Sequence, residues 1–128
     1  MPAMPHTVDI VVADMARALA FYRDLGLVIP DGAESDVQVE AHAANGWTFG
    51  FIAEAAVRQN DPDWPTPIGQ RVTVAFRCDN SADVDAVYAR MIAAGHEGRR
   101  APWDSFWGQR YAFLSDPDGN RVDLFAPL

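Results

Sequence analysis

The sequence predicts an α+β fold made of two tandem β-α-β-β-β modules that form a cupped mixed sheet. Three observations carry the prediction. A strand rich in β-branched residues leads into a capped, apolar-faced helix twice along the chain, at 7–26 and again at 71–95. Each helix is followed by segments that alternate bulky and polar residues with the period of two of a half-buried strand. Between the halves lies a proline-rich stretch unsuited to either element. At 128 residues the chain is long enough for one core and too short for two ordinary domains, so residues 1–128 are read as a single domain. Its first module spans 6–55, a linker 56–70, and the second module 71–128.

In the first module, Thr7-Val8-Asp9-Ile10-Val11-Val12-Ala13 reads as a strand with Val8, Ile10 and Val12 on one face and Thr7, Asp9 and Val11 on the other. Asp14 then caps a helix whose apolar face is Met15, Leu19, Tyr22 and Leu25, and Gly26 stands where a left-handed residue ends it. Residues 27–31 are expected to form a short strand or edge segment. Val37 to His42 alternates cleanly, and Asn45-Gly46 turns the chain into a strand from Trp47 to Ala53. The segment from Glu54 to Gln70 contains Asp61-Pro62-Asp63-Trp64-Pro65-Thr66-Pro67 and is expected to be a connection.

The second module opens with a strand over Arg71–Cys78, with Val72, Val74 and Phe76 toward the helix. Asp79-Asn80-Ser81 supplies caps, and Val84, Val87, Tyr88, Met91 and Ile92 mark a helix face that ends at Gly95. A strand is expected over 97–101, then a loop carrying Trp103-Asp104-Ser105-Phe106, then a hairpin. In that hairpin Asp116-Pro117-Asp118-Gly119 makes the turn. On its second strand Val122 and Leu124 share one face, while Arg121, Asp123 and Phe125 share the other. The second face sets a carboxylate beside an aromatic ring and is a candidate wall for a ligand cup. Each half alone has too little core to stand, so the two sheets are expected to pack with these faces toward a shared concavity.

Composition narrows the function. Hydrophobic residues at 49% and charged residues at 22% are ordinary for a globular protein. The net charge is −8 and every basic residue is an arginine, which argues against nucleic acid or anionic lipid as partner and is compatible with a cationic ligand. No apolar run reaches the length of a membrane span, and the N-terminus lacks a signal-peptide pattern, so a cytoplasmic location is expected. The lone Cys78 excludes an intramolecular disulfide and a thiolate metal cluster, and reads as a small buried hydrophobe.

The paired module order, Phe21-Tyr22 late in the first helix, and Trp107-Gly108 followed by Asp116-Pro117-Asp118-Gly119-Asn120-Arg121-Val122-Asp123-Leu124 resemble the vicinal oxygen chelate superfamily. This is the glyoxalase, bleomycin-resistance and extradiol-dioxygenase group, and the resemblance covers nearly the whole chain. It implies, for metal-using members, a divalent ion held by a His near the start of each module's first strand and by carboxylates on late strands. Matched on Asp14 and Asp79, the two His positions fall on Thr7 and Thr73, and the carboxylate positions on Asp123 and on Phe51, or on Glu54 if the register slips. A hydroxyl is a poor substitute for neutral imidazole. His6 lies on the wrong face or before the strand, His42 on a middle strand, and His96 in a turn. The metal site is therefore expected to be lost, with no cofactor.

Aromatic residues take its place. Trp47, Phe49 and Phe51 share one strand face, and Trp64, Trp103, Phe106, Trp107 and Tyr111 are expected in or beside loops rimming the opening. Phe49, Phe113 and Phe125 either fill the core or touch ligand. Indoles in polar loops expose apolar area without gaining packing, and paired rings can sandwich a planar ligand. Asp9, Asp123 and Glu40 supply matching negative charge for a cationic one.

The expected ligand-binding set is thus Trp47, Phe51, Trp64, Trp103, Phe106, Trp107, Tyr111, Asp9, Asp123, Thr7 and Thr73, with no catalytic residue and no metal ligand. The first functional reading is a homodimeric binding protein, similar to the bleomycin-resistance branch, that sequesters a bulky, partly planar natural product without chemistry. The alternatives are a glyoxalase- or dioxygenase-like lyase, a metal-free isomerase or cyclase using Asp9 or Asp123 as general base, and a small-molecule carrier.

Overall fold

The computed structural model describes residues 2–128. The chain divides into two compact units, Met1–Pro67 and Ile68–Leu128. The first contains strand β1 (Thr7–Val12), helix α1 (Met15–Leu25), a 3₁₀ turn (Ala33–Ser35), strands β2 (Gln38–His42) and β3 (Thr48–Ala53), and helix α2 (Glu54–Asn60). The second contains β4 (Val74–Arg77), α3 (Ser81–Ala93), β5 (Glu97–Asp104), β6 (Gln109–Ser115) and β7 (Arg121–Pro127).

Local chemistry explains the helix ends. Asp14 is extended, and its carboxylate accepts from the Arg17 N–H at 3.1 Å, satisfying one of the donors left free at a helix start. Gly26, at φ 126°, turns the chain out of α1 while its N–H and that of Leu27 bond to the Tyr22 carbonyl. In the second unit the cap is Asn80 rather than Asp79: its side chain accepts from the Asp83 N–H at 3.0 Å. Asp14 and Asn80 then lie equally far beyond Thr7 and Thr73, so the repeat is in register on the true caps.

Both sheets place the last strand of the unit between a parallel and an antiparallel neighbour. The orders are β1-β3-β2 and β4-β7-β6-β5, with β1 parallel to β3 and β4 parallel to β7. Under α1, Ile10, Val12, Phe49 and Phe51 are buried against Leu19, Phe21 and Tyr22. Under α3, Ala112, Leu114, Val122, Leu124 and Ala126 are buried with Val84 and Met91. Enclosing a side chain of the Val, Leu or Phe class stabilises the fold by about 1.5–3 kcal/mol, so these helix-facing rows hold each unit together.

Four expectations are corrected. Residues 27–31 form no strand, because Ile29 is buried while the Pro30 carbonyl accepts from the Arg23 guanidinium at 2.6 Å instead of from a neighbouring strand. Arg23 also pairs with Glu34, whose carboxyl it holds below its usual range. The connection begins with a helix, α2, since the prolines start only at Pro62, where the helix has already ended. The strand over 71–78 is confined to Val74–Arg77, which leaves Val72 exposed. Finally, β5 runs through Asp104, so Trp103 stands on a strand. Pro102 fits there because β5 is an edge strand with register shifts between Gly98 and Arg100 and between Arg100 and Trp103.

Candidate functional site

Each sheet has a face turned away from its helix, and strand register specifies what each face carries. In the second unit one row runs Arg100, Phe113, Asp123, Ala75 and the next runs Trp103, Tyr111, Phe125, Arg77. The predicted hairpin turn holds these strands in place. Asp116, almost fully buried, accepts from the Asp118 and Asn120 N–H groups at 2.9 and 2.8 Å, and the Gly119 N–H closes onto its carbonyl at 3.0 Å.

The aromatic residues of this face form one continuous set. Trp103 meets Phe113 at 5.2 Å, Tyr111 at 5.7 Å and Trp107 at 6.2 Å between ring centroids. Tyr111 stacks on Phe125 at 6.1 Å and meets Trp107 at 5.4 Å, and Phe106 meets Trp107 edge-on at 4.9 Å. Phe106 and Trp107 sit on the β5–β6 turn, closed by Ser105–Gln109 hydrogen bonds, and are 96% and 48% exposed. Phe106 is thus an almost fully exposed phenyl ring that meets Trp107 edge-on.

Among these rings Asp123 is only 2% exposed. Its Oδ2 accepts from the Tyr111 hydroxyl at 2.8 Å and from Arg121 at 3.1 Å, while Arg121 Nε lies 2.9 Å from Oδ1 as an ion pair outside hydrogen-bonding angles. Burial first, then the bond to Asp123, pushes the Tyr111 phenol up to about 12. Tyr111 is therefore a neutral donor at physiological pH. The Arg121 guanidinium also lies over the Phe113 ring at 4.1 Å, and that of Arg100 over Trp103 at 3.5 Å.

The first unit's outward face is different. Its rows are Thr7, Thr48, His42 and then Asp9, Gly50, Glu40. A side chain at Gly50 would meet Asp9 Oδ1 at 1.8 Å, so glycine lets the carboxylate lie across the strand. His42 hydrogen-bonds Thr48 at 3.2 Å and lies 3.9 Å from Glu40. Trp47, 55% exposed, lines a shallow cleft with Pro5, His6, Thr7, Val8 and Gly46.

Of the expected ligand-binding residues, the structure therefore brings Trp103, Phe106, Trp107, Tyr111 and Asp123 together in the second unit, and Trp47, Thr7 and Asp9 onto the first. It separates the others. Phe51 is 0% exposed and packs on Tyr22 at 5.0 Å and Phe49 at 6.0 Å, so it is core and presents no surface to a ligand. Thr73 is exposed one residue before β4. Trp64 is half-buried after α2, its carbonyl held by Arg58 at 2.8 Å and its indole N–H buried without a partner among the described residues. Sequence reasoning set Arg121 on this face beside Asp123 but did not count it in the site, and it missed Arg100, which the bulges of β5 hid.

Residues 3–124 match the profile of the Glyoxalase/Bleomycin resistance protein/Dioxygenase superfamily. The chain belongs to that superfamily. Uncharacterized protein Mb0911c of Mycobacterium bovis is 31% identical over 136 residues, spanning 99% of this chain and 84% of its own. The crystal structure of a glyoxalase/bleomycin resistance protein/dioxygenase family enzyme from Burkholderia phytofirmans superposes with a TM-score of 0.83 at 23% identity, over 95% of this chain and 97% of that one. The lactoylglutathione lyase structure from Agrobacterium tumefaciens gives 0.71 at 20%, over 97% and 93%. Two modules of mixed strands under helices are thus the vicinal oxygen chelate fold.

The superfamily's metal chemistry does not fit the donors present. Thr7 and Thr73 offer hydroxyls, Phe51 has no donor, Glu54 is paired with Arg58 at 2.9 Å, and Asp123 is engaged by Arg121 and Tyr111. Among the described residues no three His, Cys, Asp or Glu side chains converge. Cys78 is half-buried, and burial, followed by the carboxylates of Asp83 and Asp79, pushes its thiol up, which disfavours the nucleophilic thiolate. No helix among the described residues is long and apolar enough to cross a membrane.

Proposed function

We propose that this superfamily member is a non-catalytic binding protein of the bleomycin-resistance type, which sequesters a bulky, partly planar natural product on the aromatic face of its second unit. One observation carries the reading: Trp103, Trp107, Tyr111, Phe113 and Phe125 form a contiguous set of half-exposed rings around a carboxylate whose oxygens are already engaged. Such a surface has the π faces for stacking, and its central carboxylate is held by Arg121 and Tyr111. The protein acts as a homodimer, which covers the edge strands that each sheet leaves open; sedimentation at micromolar concentration is expected to show it.

Titration with planar aromatic compounds is expected to quench indole fluorescence, and Trp103→Ala to weaken binding by about 1–3 kcal/mol, the range of an interface anchor, with no covalent change in the compound. Trp103→Ala protein that folds and binds as tightly as the parent would move the site elsewhere. About one tightly bound zinc, iron or manganese per chain, read by elemental analysis, would contradict the metal-independent reading.

A second reading, an enzyme acting on a small molecule, draws support from Asp9, whose exposed carboxylate lies over Gly50 with no partner among the described residues. The Burkholderia relative is called an enzyme and the Agrobacterium one a lactoylglutathione lyase. Turnover lost in Asp9→Asn would favour this reading.

A further inference from the structure

Resting on that reading of the aromatic face, we propose that the molecule it takes is an anion: a planar aromatic acid whose ring lies against Tyr111 and Trp107, beside Trp103, and whose carboxylate pairs with the Arg100 that covers Trp103. The sequence alone is compatible with an aromatic or cationic ligand, because the chain is acidic and its indoles are expected in loops. Two features of the face speak against the cation. First, the positions a ligand cation would take over a ring are filled by the protein's own guanidinium groups, Arg100 over Trp103 at 3.5 Å and Arg121 over Phe113 at 4.1 Å. A cationic ligand would have to displace one of them or sit against it.

Second, the charge of this face is opposite to that of the chain. Strand register aligns Arg77, Arg100 and Arg121 with Asp123 and, in the row that ends at the sheet edge, Glu97. Arg121 and Asp123 satisfy one another, and the nearby Arg99 bonds to Gln70 at 3.1 Å. Arg77 and Arg100 are exposed and have no hydrogen-bond or ion-pair partner among the described residues. A protein of net charge −8 thus presents two unpaired guanidinium groups beside its aromatic set. A guanidinium lying over an indole is held against the ring while N–H donors without a partner among the described residues remain available, and a guanidinium's fork can recognise a carboxylate bidentately.

Three tricyclic probes of matched shape test the inference on the full-length protein: 9-anthracenecarboxylate, neutral 9-anthracenemethanol and cationic 9-aminoacridine, each measured by indole quenching and calorimetry. The carboxylate is expected to bind about tenfold or more tighter than the neutral probe, with the advantage shrinking as salt rises. In Arg100→Gln, whose exposed position leaves the fold intact, that advantage should fall toward unity while the neutral probe binds as before or tighter. Tightest binding by the cation, equal binding of anion and neutral probe, or an unchanged ratio in Arg100→Gln would overturn the anion assignment. If all three probes bind alike and all are lost in Trp103→Ala, the aromatic site stands and only its charge preference falls. If none binds, the aromatic site and the anion assignment fail together.

Discussion

The two units share a topology and differ in where they spend their aromatic residues. In the first, Phe49 and Phe51 turn toward the helix and are buried with that helix's Phe21 and Tyr22, and the outward face is threonine, aspartate, glycine, glutamate and histidine. In the second, the fully buried residues of the helix side are aliphatic or methionine, with Phe76 and Tyr88 only partly buried there, and Trp103, Tyr111, Phe113 and Phe125 turn outward around Asp123. An aromatic residue in this sequence is therefore evidence of a site only once its face is known. Either chemistry serves beneath a helix, since both supply apolar volume; only the second arrangement leaves rings for a ligand.

The sharpest way to break the contrast is to remove a ring from each side. Phe51→Ala should destabilise the protein by about 3–5 kcal/mol, the range for emptying a buried phenyl site, with denaturant unfolding as the measurement. Trp103→Ala, by contrast, should cost more in binding than in stability. A Phe51→Ala protein as stable as the parent, with ligand binding abolished, would return that ring to the site.

Asp123→Asn tests whether the outward carboxylate is structural. It leaves the Arg121 guanidinium, two-thirds buried, without its counter-ion, and about 1–3 kcal/mol of stability should be lost, as for a polar group deprived of its partner. Asp9→Asn on the other unit should change stability by less than about 0.5 kcal/mol, because its exposed carboxylate has no partner to lose.

The Tyr111 phenol gives the most specific effect, confined to high pH. It should ionise near pH 12 by ultraviolet absorbance, a step that Tyr111→Phe should remove. The folded state binds this proton more tightly than the unfolded chain does, since the phenol is raised from its ordinary 10 to about 12. Its contribution to stability is accordingly full below pH 10 and lost as pH rises toward 12, a decline that Tyr111→Phe should lessen.

What the sequence determined by itself was the repeated frame: Asp14 and Gly26 bounding the first helix, the Asp116–Gly119 turn, and the alternation that set Arg121, Asp123 and Phe125 on one face. These are local properties, written in caps, turn residues and period, so they were legible without any partner. The strand path at 27–31, the helix at 54–60 and the extension of β5 through Pro102 were decided by tertiary contacts: an Arg23 bond, the position of the prolines, and an edge that tolerates bulges. So was the division of the aromatic residues. Phe51 and Tyr111 look alike in an alternating strand, and only the helix packed against one face and absent from the other separates a core ring from a candidate binding surface. Arg100 belongs to the same class, because a register shift lies on either side of it, one before it and one between it and Trp103.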